Sequence, residues 1–87
     1  MLQPNIRKSN NMLRYWQTST KYYAIQLYQD LLGDWNIHKT WGSRFTKHGN
    51  NKSSIVGSRA DAIKLISKIE RIRKSHGYHA QYNILHL

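Results

Sequence analysis

The sequence predicts an α+β domain: a twisted antiparallel sheet of four to five strands with one long helix packed against one face. Three observations carry this. Tyr22–Gln29 and Trp35–Trp41 alternate in side-chain character with the period of a strand. A single later segment, from Ser58 to about His76, repeats apolar residues at spacings of three and four. The chain has 87 residues, room for one modest core and little else.

Taken in order, Met1 to Asn11 is polar, holds the only proline, Pro4, and shows no period. Residues 1–12 are expected to form a flexible basic arm, with 13–87 the single domain. Leu13 to Thr18 begins the first strand, with Leu13, Tyr15 and Gln17 on one face and Arg14, Trp16 and Thr18 on the other. In Tyr22–Gln29, the face carrying Tyr23, Ile25 and Leu27 is the core candidate; Tyr22, Ala24, Gln26 and Tyr28 take the other. Asp30 to Asp34 contains a Gly33-Asp34 turn signal that closes a hairpin. The next strand sets Trp35, Ile37, Lys39 and Trp41 against Asn36, His38 and Thr40. Ser43 to Ser54 reads as a polar basic loop, and Ser54–Gly57 as a short strand.

Ser58 should cap the helix, with Asp61 three residues on as a capping-box variant. The stripe Ala62, Leu65, Ile66, Ile69 and Ile72 faces the sheet, and Gly77 ends the helix in a left-handed cap. Arg71, Arg73, Lys74 and His76 near the last turn suit the negative end of the helix dipole. A nucleic-acid role would explain them equally well. Beyond Gly77, Tyr78–Leu87 either adds a short strand through Ala80, Tyr82 and Ile84 or frays.

Charge narrows the partner class. Fourteen Lys and Arg face four Asp and Glu, a net +10 with a pI near 10.2. That balance fits a polyanion: nucleic acid, an anionic surface or an acidic protein. There is no cysteine, so neither a disulfide nor a Cys-ligated zinc is available. No run approaches the roughly 20 apolar residues of a spanning helix, and residues 1–13 lack the apolar core of a signal peptide. The expected location is cytoplasmic or nucleoid-associated rather than secreted, with no membrane partner. The four carboxylates form no acid/base pair, and neither a nucleophile elbow nor a phosphate-binding glycine loop appears. No enzyme activity, metal or cofactor is expected.

The candidate site is Lys39, Trp41, Gly42, Arg44, Lys47 and Lys52: an aromatic platform at a strand end, ringed by cations that can neutralise phosphates. Gly42 beside Trp41 lets another backbone or a ligand approach closely. Residue type alone favours a core position for Trp41; the cations within eleven residues of it point to the platform.

The order Lys21-Tyr22-Tyr23-Ala24-Ile25-Gln26-Leu27, then Trp41-Gly42, then Thr46-Lys47 and Gly49, then His76-Gly77-Tyr78, resembles the WGR domain, named for its Trp-Gly-Arg. The resemblance spans roughly residues 14–82. It implies the same helix-packed sheet and a DNA-gripping role like the one this domain plays next to strand breaks in DNA-dependent poly(ADP-ribose) polymerases. Their catalytic chemistry belongs to a separate domain. The third motif position here is Ser43, and Arg44 follows one residue later. The partner expected is therefore DNA, double-stranded or broken, bound with little sequence specificity, with RNA as a variant. The competing reading is a protein-interaction module that docks an acidic partner or assembles as a homodimer through a free sheet edge.

Overall fold

The computed structural model describes residues 11–81. The expected arm lies almost wholly outside them, as do Tyr82 and Ile84. Five strands and one helix run in the order β1 (Met12–Gln17), β2 (Lys21–Gln29), β3 (Trp35–Ser43), β4 (Gly49–Val56), α1 (Arg59–Ser75) and β5 (His79–Ala80). All pairings are antiparallel, in the spatial order β4-β3-β2-β1-β5.

Register sorts the side chains. Tyr23 pairs with Trp16 on β1 and Trp41 on β3, Ile25 with Arg14 and Lys39, and Leu27 with Met12 and Ile37. Because strand side chains alternate between faces, these rows share one face, the one α1 covers. The core is Trp16, Ile25, Leu27, Ile37, Ala62, Ile66 and Ile69, with Met12, Tyr23, Trp35, Val56, Ile63, Leu65, Tyr78 and Ala80 packed around it. The expected β2 face is the core face.

The helix begins and ends as the sequence signals. Ser58 is extended and its Oγ accepts from the Asp61 N–H at 3.1 Å, while Gly77, at φ 85°, closes the C-terminal end. Within the stripe, Ala62, Ile66 and Ile69 are buried, Leu65 is half-buried, and Ile72 is 37% exposed. Ile63, outside the expected stripe, packs on the core near the start of the helix. The helix starts just past β4, whose Val56 pairs with Trp35, and ends over Tyr23, with β5 then added beyond β1. It therefore crosses the sheet diagonally.

Two expectations need correction. Ser43–Ser54 is not one loop: β4 already begins at Gly49, so only Arg44–His48 bridges the strands and Lys52 is a strand residue. Asn, Lys and Ser have little strand preference of their own, and the ladder with β3 imposes the conformation. Likewise β1 opens at Met12 and β2 at Lys21, one residue earlier than their patterns indicate.

At the far end, the Asp30–Asp34 turn is fixed by one carboxylate. Asp30 Oδ1 accepts from the Leu32 and Asp34 N–H groups, each at 2.9 Å, and Oδ2 from Asn36 Nδ2 at 2.8 Å. Those donors, Asn36 first, hold the Asp30 carboxyl below its ordinary pKa. They also satisfy Asn36, the buried polar side chain of the sheet. Gly33, at φ 89°, supplies the left-handed step of the turn.

Candidate nucleic-acid interface

The diagonal path of α1 leaves one corner of its own face uncovered, and three of the six candidate residues meet there. Lys39 pairs directly with Lys52 across β3 and β4, one row from Trp41, all on the helix-side face. Lys39 and Trp41 are half-buried and Lys52 is exposed. Like charges directly opposite each other on a sheet destabilise it. The pair therefore concentrates positive charge at a cost in stability, as a surface for polyanions does.

Trp41 belongs to neither the buried core nor the hydrophobics packed against it. Its ring stacks on Tyr23, with centroids 6.0 Å apart and planes 21° from parallel. The Arg73 guanidinium lies 4.4 Å from the Tyr23 centroid and 4.9 Å from that of Tyr78. A continuous ladder results: Trp41, Tyr23, Arg73, Tyr78. Arg73 Nε is buried without a hydrogen-bond partner. Two ring faces offset that desolvation, since a guanidinium between aromatic rings gains cation–π attraction. Burial raises the Tyr23 hydroxyl pKa, and the nearby Arg73 charge works in the opposite direction.

Beside the ladder opens a cleft lined by Thr18, Ser19, Thr20, Lys21, Arg73, His76 and Tyr78. Its walls hold two permanent cations, a histidine and four hydroxyl-bearing residues, with no carboxylate. That composition suits a phosphate, which needs charge and directional donors together.

The remaining candidates play other parts. Arg44 is the first residue past β3, where strand alternation no longer governs direction. Its N–H donates to Thr20 O at 2.8 Å, and Nη1 donates to Thr18 O at 2.9 Å and Ser19 O at 3.2 Å. The guanidinium is thus turned back on the β1–β2 turn that walls the cleft. Lys47 is exposed in the β3–β4 loop. Gly42 has turned away from Trp41 toward the opposite face. A Cβ there would meet His48 O at 2.9 Å, Gly49 Cα at 3.0 Å and Tyr22 Cε1 at 3.4 Å. The backbone that approaches Gly42 is therefore this chain's own β4, and the glycine serves strand pairing.

Sequence reasoning missed Tyr23, Arg73, Tyr78, Lys21 and His76 as members of one site. A signal existed for Arg73: positions 62, 66, 69 and 73 fall on one helical line, so an arginine there interrupts the sheet-facing stripe. Nothing in the linear order joined it to Tyr23, fifty residues earlier. Among the described residues no three His, Asp or Glu side chains are grouped as metal ligands would be. No described helix is long and apolar enough to cross a membrane.

A family model described as the WGR domain matches residues 5–84. Comparison with curated proteins and with solved structures gave no match.

Proposed function

Because this chain belongs to the WGR domain family, we propose that it binds DNA, double-stranded or broken, through backbone phosphates and an aromatic platform. Domains of this family are in general nucleic-acid-binding modules, not catalytic by themselves. The single observation that carries the reading is the uncovered corner, where Lys39 and Lys52 face each other beside the Trp41–Tyr23–Arg73–Tyr78 ladder. A phosphate sits in the cleft of Lys21, Arg73 and His76, and a sugar or base lies against Trp41. Lys47 adds charge at the rim, and Arg44 holds the turn that shapes the cleft. The helix covers the sheet rather than projecting base-reading side chains into a major groove, so discrimination between sequences is weak.

Competition among blunt, nicked, single-stranded and circular DNA and a matched RNA duplex, at fixed salt, tests this. The expected result is tighter binding to molecules with ends or nicks than to closed circles. Affinity should fall by about 0.9 logarithmic units per phosphate contact for each tenfold rise in salt. Absence of binding to any of them at low salt would overturn the proposal.

A further inference from the structure

We propose that the sheet face turned away from α1 is a self-association surface, on which a second copy of this chain docks sheet to sheet. What distinguishes this face is the absence of charge. Among the described residues, none of its strand positions is Lys, Arg, Asp or Glu, in a chain of net charge +10. The strand-borne cations Arg14, Lys21, Lys39 and Lys52 all fall in the helix-side register. The other described cations are carried by α1 and the Arg44–His48 loop.

That distribution selects the occupant. A nucleic acid would find no cation there to neutralise its phosphates, and an acidic protein would find nothing to pair with. Two copies of a +10 chain repel wherever their charged surfaces meet. This face is the broad surface on which they can touch with those charges held apart.

The face is also suited to burial. Ile55 is 66% and Leu13 40% exposed, and Tyr15 stacks on Tyr22 with planes 4° apart. Three of its polar side chains are already satisfied within the chain: His38 Nδ1 and Ser53 Oγ share a hydrogen bond, and Asn36 donates to Asp30. Covering such groups costs little. Four long strands at about 4.8 Å spacing and about 25 Å in length make a face of roughly 500 Å². Two such faces bury about 1,000 Å², the lower limit for a specific contact, so the dimer is weak and concentration-dependent. The sheet edges are poorer candidates: β5 has two residues and β4 carries Lys52. If the nucleic-acid reading above also holds, back-to-back docking directs the two binding corners outward and gives one dimer two grips. The association itself does not depend on that reading.

Sedimentation equilibrium of the full chain without nucleic acid tests the proposal, from about 1 to 500 µM, a range that brackets a weak contact of this size. The expected result is a shift from the 10.3 kDa monomer toward a dimer, strengthened by added salt because screening relieves mutual repulsion. Nucleic-acid binding should respond to salt in the opposite sense, so failure of one claim is separable from failure of the other. The double variant Gln26→Lys/Ile55→Lys should remain monomeric while binding a short duplex at least as tightly per chain as the wild type. Should that variant not fold, a nitroxide on Leu32→Cys, in the exposed turn beside this face of a cysteine-free chain, gives the second readout: dipolar coupling between labels that is lost on dilution. A wild-type monomer throughout, or a dimer dissolved by salt or untouched by the lysines, would overturn the proposal. So would absence of label coupling in a dimer.

Discussion

Two tryptophans in the same row of the sheet do opposite work. Trp16 and Trp41 both neighbour Tyr23, one on β1 and one on β3. Trp16 is 2% exposed at the centre of the core, whereas Trp41 lies outside it, stacked on a single ring. Trp16→Ala should therefore cost about 3 to 5 kcal/mol of stability and unfold much of so small a domain. Trp41→Ala should cost less stability than Trp16→Ala, because the ring is only half-buried and its aromatic pair adds about 0.5 to 1.5 kcal/mol beyond the area it covers, while weakening nucleic-acid binding by about 1 to 3 kcal/mol. Thermal melts measured beside binding curves separate the two; a collapsed melt for Trp41→Ala would return that residue to the core. Asp30 offers a pH-dependent counterpart. Its folded pKa is lowered by the Asn36, Asp34 and Leu32 donors, so its stabilisation is complete above the unfolded value of about 3.9 and lost as pH falls through the folded value. Asp30→Asn should flatten that acid limb of the melting-temperature profile, and a carboxyl carbon titration should place the Asp30 midpoint below the ordinary value.

At the scale of elements, β4 shows a strand built against its own preferences. Its first five residues, Gly49–Ser53, are exposed and polar, and pairing with β3 holds them. Within that ladder Lys39 and Lys52 stand opposite and repel each other, which costs stability. Lys52→Thr should raise the melting temperature, by relieving the repulsion and improving strand preference, and at the same time reduce affinity for DNA. Opposite signs in the two measurements are the expected signature. A variant that loses stability and keeps affinity would remove Lys52 from the interface.

For the whole molecule, the cations among the described residues are crowded onto one side: the helix, the helix-side strand positions and the Arg44–His48 loop. Self-repulsion of this kind destabilises a compact state and is relieved by screening. The melting temperature of the free protein should therefore rise with sodium chloride at low ionic strength. Over the same range the proposed binding to DNA should weaken. A melting temperature that falls with salt would mean that attractive ion pairs outweigh the repulsion.

The sequence by itself determined the fold and its punctuation. Alternation in Tyr22–Gln29 and Trp35–Trp41 named the strands and the core face. Ser58 and Gly77 bounded the helix, and the paired tyrosines, Trp41-Gly42 and His76-Gly77-Tyr78 pointed to the family. These features were legible because capping, turn chemistry and period-2 burial act over a few neighbouring residues. Tertiary structure alone decided the path of α1 across the sheet, and with it which corner stays open. It decided that Arg73 lies between Tyr23 and Tyr78, that Arg44 turns back to Thr18 and Ser19, and that Gly42 makes room for β4. It also decided that Lys52 stands in a strand opposite Lys39. Each is a contact between segments far apart in the chain, and the energies that select it depend on packing, which local sequence does not encode.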